Sequence, residues 1–188
     1  MPDENKRDRG GDSSRIRDGI VLIPYAEVNG TRCLSDDCLS AYWEAMKKDG
    51  VNRAVFGHGQ VSSAPDFIKM LKHVDNLPVF VAVDGQLLGL AWLNDIYDNH
   101  AVCHVAFLKP AWGKYSVEMG RKILDYWFSI PDQVGEPLFD TIIGNIPDWN
   151  VLCIKWIKKL GFTCLGVIPN IENGNGMSIN YIERGYHG

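Results

Sequence analysis

The 188-residue chain contains no apolar run of about 18 residues or more, which excludes a helical membrane span. It also has no excess of positive charge. Nineteen Lys and Arg stand against 23 Asp and Glu, a net charge of −4, so nothing draws it electrostatically to nucleic acid or an anionic membrane. Cysteine is sparse and odd in number, at five. Three of the five sit in apolar runs, so reduced thiols in a cytoplasmic core are expected rather than a disulfide framework. Cys33 and Cys38 are not at a usual zinc spacing and no His or Cys pair completes them, so no metal site is expected. Residues 1–18 hold almost no apolar side chains. They cannot bury enough surface to offset the entropy of ordering, and a disordered tail is expected there. The charged N-terminus has no apolar stretch behind it, which argues against a secretory signal. No internal repeat is visible.

What remains is ordinary globular material, 46% hydrophobic, and is expected to form one domain over 19–188. Gly19 to Pro24 is a short apolar run and reads as a buried strand. Asp36 and Asp37 can cap a helix carrying Leu39, Tyr42, Trp43 and Met46 on one face, with Gly50 as its stop. A second helix begins near Ser63 and Pro65, with Phe67, Ile68, Leu71 and Val74 inward. Asp84-Gly85 lies between two β-rich runs, the strongest hairpin signal in the chain. Strands over 101–108 and 138–146 flank a helix marked by Val117, Gly120, Ile123, Leu124, Trp127 and Phe128. A helix from about Asn150 ends at Gly161, and strands over 162–168 and 177–182 close the chain. The order β, α, α, β, β, β, α, β, α, β, β argues for one mixed α/β sheet, antiparallel early, with helices on its faces.

Two strand-to-helix junctions stand out. After the 101–108 strand come Pro110, Gly113 and Ser116, a ladder breaker, a permissive residue and a candidate cap. Unpaired amides at the start of the next helix favour an anion, and Lys114 adds charge. A plain connection is the alternative reading. The second junction is Gly144-Asn145-Ile146-Pro147, followed by Asn150. If the two strands are parallel neighbours, their C-terminal ends share one crevice, where open α/β sheets bind ligands. Asn150 is either a simple helix cap or a cap that also faces a ligand.

Trp112-Gly113-Lys114-Tyr115-Ser116-Val117-Glu118, continuing to Phe128, resembles the pyrophosphate-loop segment of the GCN5-related N-acetyltransferases (GNAT). It is nearest the branch containing the ribosomal-protein N-terminal acetyltransferases. Asn150 to Cys153, running on to Leu160-Gly161-Phe162, resembles the next motif of that family. The likeness covers about residues 77–168, and the element order extends it over 19–183. It implies a single GNAT-like domain whose mostly antiparallel sheet holds a central splayed parallel pair. It implies acetyl-CoA as cosubstrate and an amine acceptor, small molecule or protein, attacking the thioester directly. Phe107, Leu108, Trp112, Gly113, Lys114, Tyr115, Ser116, Val117, Asn150 and Cys153 become cofactor-binding candidates. A backbone N–H at Phe107 or Leu108 would stabilise the carbonyl oxygen, and the pantetheine arm would lie along the same strand.

The chain departs from the family pattern twice. The loop lacks a glycine between Lys114 and Tyr115, and Ile157 stands where many members carry a proton-donating tyrosine. No carboxylate lies between Ala101 and Leu108. His104 is the one imidazole on that strand and is the catalytic candidate as base, against the reading of a hydrogen-bonded core histidine. Asn145 and Asp148 are alternatives through water. His58, between two glycines, and Asn145 are substrate-binding candidates, although flexibility of the connector also accounts for the glycines. Trp112 and Trp149 are expected to wall the cleft. The expected assembly is a monomer or homodimer. The rival reading is a CoA-binding or interaction module on the same fold without catalysis.

Overall fold

The computed structural model describes residues 19–28, 31–57, 59, 61–172 and 174–185. The tail over 1–18 and His58 lie outside the described residues. Strand β1 (Ile20–Pro24) is followed by a small hairpin of β2 (Glu27–Val28) and β3 (Thr31–Arg32), then helices α1 (Asp36–Asp49), α2 (Val51–Phe56) and α3 (Ala64–Leu71). Strands β4 (Leu77–Val83), β5 (Gln86–Tyr97) and β6 (His100–Phe107) form a meander. Helix α4 (Ser116–Phe128) crosses to β7 (Thr141–Pro147), α5 (Val151–Lys159) follows, and β8 (Thr163–Glu172) and β9 (Asn175–Glu183) complete the sheet.

Local chemistry accounts for most of these boundaries. Ser35 caps α1 by accepting from the Cys38 N–H, and Ser63 caps α3 through the Asp66 N–H. Gly50 takes φ 73° and turns its N–H back to the Lys47 and Met46 carbonyls, ending α1. It does not end the helical region, because α2 starts at the next residue. Asp84 and Gly85, at φ 50° and 79°, make the two-residue turn between β4 and β5. Three expectations fail. Helix α3 stops at Leu71, so Val74 is 86% exposed. Strand β1 is an edge strand, half-buried rather than buried. Strand β7 begins at Thr141, three residues later than the apolar run.

The seven strands lie in the order β1-β4-β5-β6-β7-β9-β8. Every neighbouring pair is antiparallel except β6–β7. Helices cover both faces. Tyr42 of α1 packs edge-on to Phe80, and its hydroxyl donates to the Ala106 carbonyl at 2.6 Å. On the opposite face Met119 of α4 packs over Gly89 beside Val81 and Phe107. Trp156 of α5 meets Phe107 edge-to-face, with ring centroids 5.4 Å apart. The two core layers contain Trp43 and Phe67 on one side and Met119, Ile123 and Trp127 on the other, all buried.

Helices α4 and α5 approach closely because residue 120 has no side chain. A Cβ there would lie 2.7 Å from both Leu160 Cδ1 and Trp156 Cζ2. The entropic cost of a mid-helix glycine is offset by this close packing. Gly120→Leu must push α5 outward, with an expected destabilisation of about 1–3 kcal/mol from overpacking. A thermal melt reads it, and an unchanged midpoint would show that the helix contact tolerates a side chain.

Candidate active site

The parallel pairing of β6 and β7 is short. His100 pairs with Thr141, Ala101 with Ile142 and Val102 with Ile143, and there it stops. Each strand continues on its outer partner, β6 on β5 to Phe107 and β7 on β9 to Pro147. A cleft of about 270 Å³ opens in the resulting gap. Its walls include His104, Asn145, Asn150, Cys153, Trp156 and Ile157. Four of the candidate residues, from three separate stretches of sequence, therefore meet in one place.

The edge that β6 presents to the gap follows from strand alternation. Leu108 donates its N–H to Leu88 at 2.9 Å, toward β5. Ladder parity then sends the backbone groups of His104 and Ala106 toward β5 as well, and those of Cys103, Val105 and Phe107 toward the gap. The expectation that Leu108 offers a free amide is thus corrected, because its N–H already has a partner. Phe107 lies on the open side. Its carbonyl accepts from Trp112 Nε1 at 2.8 Å, which ties the following loop to the end of the strand.

His104 lines the cleft from the α1–α2 face of the sheet. Its ring stacks on Trp92 at 4.8 Å between centroids, and Trp92 stacks in turn on Phe56 at 5.7 Å. Its Nε2 lies 2.9 Å from Asn94 Oδ1. Burial lowers the imidazole pKa below its ordinary 6.5, and the charge of Asp95 opposes that shift. The ring is therefore neutral at neutral pH and able to take a proton. The two readings of this residue coincide, since it is both hydrogen-bonded and at the wall of a cavity. Neither Trp92 nor Asn94 was singled out from sequence.

On the α4 side, the loop after β6 makes a single 3₁₀ turn over Lys109–Ala111. Gly113 follows at φ 73°, a left-handed conformation that glycine adopts without strain. Tyr115, not Ser116, is the residue preceding α4, and no side chain caps the helix. This corrects the expected role of Ser116, whose carbonyl instead accepts from Trp156 Nε1 at 3.0 Å. Ser116, Val117 and Glu118 open the helix, where amides have no intrahelical acceptor. Lys114 is exposed, with Nζ 4.4 Å from the centre of the Tyr115 ring. Loop residues 112–117 do not line the cleft, and neither does Trp149. Trp112 and Trp149 are each 48% exposed, and Trp127 and Trp156 form the walls expected of them.

At the second junction Asn150 Oδ1 accepts from the Cys153 N–H at 3.1 Å, so Asn150 caps α5 while also lining the cleft. Asp148 does not line it, and its Oδ2 accepts the Gly176 N–H at 2.9 Å. Gly144 is the first residue of β7 beyond the parallel pairing. Its carbonyl accepts from Asn180 Nδ2 at 3.2 Å, and that amide is buried with Ser178. Asn180 is a further residue that sequence reasoning missed. Its only signal is a polar residue at an inward position of an alternating strand. Ile157 is buried in the cleft wall and supplies no proton there. Among the described residues no cluster of His, Cys, Asp or Glu has the makings of a metal site, and no helix is long and apolar enough to cross a membrane.

The chain matches no protein-family profile, and no curated protein matches it in sequence. Its fold does match solved structures. Spermidine N-acetyltransferase from Vibrio cholerae, in complex with CoA and spermine, superposes with a TM-score of 0.68 at 14% identity, covering 88% of this chain and 95% of that one. The microcin C7 self-immunity acetyltransferase MccE, in complex with acetyl-CoA and AMP, gives 0.66 at 14% identity, covering 89% and 94%. AAC(6')-Ib, in complex with ribostamycin and coenzyme A, gives 0.68 at 13% identity, also covering 89% and 94%. At these identities the likeness establishes the fold. The mixed sheet with its single parallel pair is the architecture of the GCN5-related acetyltransferases.

Two thiols in the cleft wall behave unlike the others. Burial pushes Cys103 up to about 12 and Cys153 up to about 11, and the neighbouring Cys153 adds to the rise at Cys103. Neither is a nucleophile at neutral pH, since the thiolate is the reactive form. Brief treatment with iodoacetamide at pH 7.5 is expected to label exposed Cys33 and Cys164 first. Cys103 and Cys153 react only after unfolding, as read by peptide mass spectrometry. Early labelling of Cys153 would contradict the burial argument.

Proposed function

We propose that this protein is an acetyl-CoA-dependent N-acetyltransferase that passes the acetyl group directly to an amine, with His104 as general base. The observation that carries the reading is the end of β6–β7 pairing at Val102 and Ile143, which brings His104, Asn145, Asn150 and Cys153 around one cleft. The fold supports it. The residues present also fit the cosubstrate. The free β6 edge offers backbone groups at Cys103, Val105 and Phe107 to an extended arm with amides of its own, as an added strand would use them. Gly113, Lys114, Tyr115, Ser116 and Val117, at the start of α4, would hold the phosphates, and Trp112 would keep that loop against Phe107. Cys153 and the amide of Asn150 would flank the arm from α5.

The chemistry follows from the lining. Among the described residues no Asp, Glu, Lys or Arg lines the cleft. A largely apolar lining without charge disfavours ammonium and favours the neutral amine, which is the nucleophilic form. As nitrogen bonds to the thioester carbonyl carbon, the carbon–sulfur bond breaks with its electron pair on sulfur. The Phe107 N–H would stabilise the charge on the carbonyl oxygen. His104 takes the proton released by nitrogen, and that proton is the one the thiolate regains. Asn145, exposed on the far wall, and His58 are the acceptor-side residues in this reading. The two junction motifs favour the branch of ribosomal-protein N-terminal acetyltransferases, the sparse, odd cysteines favour a cytoplasmic setting, and a monomer or homodimer is the expected assembly. Ile157 favours a second reading, a CoA-binding module without turnover, because it leaves the thiolate no protein acid in α5.

Calorimetry with acetyl-CoA and free-thiol release over a panel of amines and peptide N-termini test the proposal. Saturable binding with thiol release is expected. Binding without release across the panel would favour the second reading, and no heat with acetyl-CoA or CoA would sink both. His104→Ala is expected to lower kcat about 100-fold, the scale of a general base, while acetyl-CoA affinity stays the same. Because burial depresses the His104 pKa, the acidic limb of kcat/KM should lie below pH 6.5. Activity is full above that limb and is lost as pH falls through it. A limb above 6.5, or one unmoved in His104→Ala, would remove His104 as the base.

A further inference from the structure

We propose that Asn94 is a positioning residue for His104, holding the proton on Nε2 so that Nδ1 is the nitrogen that accepts the proton of the amine. The inference rests on the acetyltransferase reading and extends it to the group that directs the base. Its first support is geometric. Nε2 and Asn94 Oδ1 are 2.9 Å apart, so the imidazole donates through Nε2 and Nδ1 keeps its lone pair. No partner of Nδ1 is found among the described residues. Trp92, itself backed by Phe56, covers one face of the ring and fixes its plane, and the ring's two nitrogens bond through the edge.

The second support is the register that brings Asn94 there. The turn Asp98-Asn99 pairs Tyr97 with His100, and continued regular pairing would set Asn94 opposite Cys103. The ladder instead shifts between Asn94 and Tyr97, where Asp95 takes φ 45°, and Asn94 pairs with Val102. That one-residue slip moves Asn94 from the Cys103 face to the His104 face. It also sets Trp92, rather than Leu93, opposite His104. A bulge with a non-glycine residue at positive φ carries a local cost, and bulges of this kind re-aim side chains near active sites.

The groups facing the ring from the elements packed on it leave Asn94 as its hydrogen-bond partner. Asp95 of β5 is the charged group acting on the imidazole, and it favours the protonated form. Helix α2 presents Ala54, Val55 and Phe56, and β7 presents Asn145, while Cys103 of β6 lies on the other face of the sheet. A neutral amide, unlike a carboxylate, fixes the tautomer without strongly stabilising the imidazolium. The base therefore stays unprotonated in the pH range where the cleft holds a neutral amine.

Nitrogen-15 NMR of the free protein tests the tautomer without any substrate. His104 is expected as the Nε2–H form in the wild type, as a mixture of both tautomers in Asn94→Ala, and with a raised pKa in Asn94→Asp. Kinetically, Asn94→Ala should lower kcat about 10-fold with the KM for acetyl-CoA unchanged, a misplacement effect. Asn94→Asp should move the acidic limb of kcat/KM to higher pH. In a His104→Ala background, Asn94→Ala should have no further effect, because the two act as one unit. An unaltered tautomer in Asn94→Ala, or an equal loss in both backgrounds, overturns the proposal and makes Asn94 a structural residue. A chain that releases no thiol from any amine overturns the functional reading itself. The tautomer measurement then still decides whether Asn94 directs His104.

Discussion

Everything in the cleft depends on where two parallel strands stop sharing hydrogen bonds. A backbone amide or carbonyl that loses its partner inside a protein costs free energy, so such a break survives only where the freed groups are satisfied or serve a ligand. Here each strand keeps a full ladder on its outer side. On β7 the Gly144 carbonyl faces β9 by ladder parity and also accepts from the buried Asn180 side-chain amide, which ties that half of the sheet together. On β6 the Phe107 carbonyl is taken by the Trp112 indole. The remaining groups of the β6 edge line an opening with the shape and polarity of a missing strand. The sheet has two halves joined at three residue pairs, with chemistry at the joint.

The helices hold those halves in place. Helix α4 is the crossover between the parallel strands, and its contact with α5 at Gly120 fixes one wall of the gap. Trp156 links the layers by meeting Phe107 with its ring and the Ser116 carbonyl with its N–H. On the other face Tyr42 anchors α1 to the Ala106 carbonyl, next to the base candidate. The cleft is thus built from rigid elements on both faces, and its polar groups are few. That combination favours neutral reactants and precise placement over electrostatic attraction.

Much of this was legible in the chain. The Asp84-Gly85 turn, the Ser63 cap and the Gly50 stop are local features, decided by interactions within a few residues; the cap of α1 is Ser35, with the expected Asp36 and Asp37 in the first turn. The two junctions were legible as well, because a strand end, a permissive glycine and a polar cap leave marks close together in sequence. Asn150 is such a case, at once the cap of α5 and a wall of the cleft. What failed were statements about surroundings. Val74 continued an apolar period beyond the end of its helix, and Leu108 had an amide whose partner, Leu88, is twenty residues away on another strand. Trp112 and Trp149 lay at the right junctions, yet side-chain direction put them outside the cavity.

While the parallel crossover entered as a condition and through the family resemblance, composition and pattern by themselves determined a mixed α/β domain, the positions of the two junctions and the lack of a carboxylate on β6. Those are properties of single segments, set by periodicity, capping and residue identity. Only the tertiary structure decided that His104 faces the cleft and meets Asn94. That contact needs a strand register, and register depends on one extra residue in β5 whose insertion costs nothing visible in hydropathy. A slip of one position turns every side chain to the other face, so the pairing that makes His104 a candidate base is a property of the assembled sheet and of no segment alone.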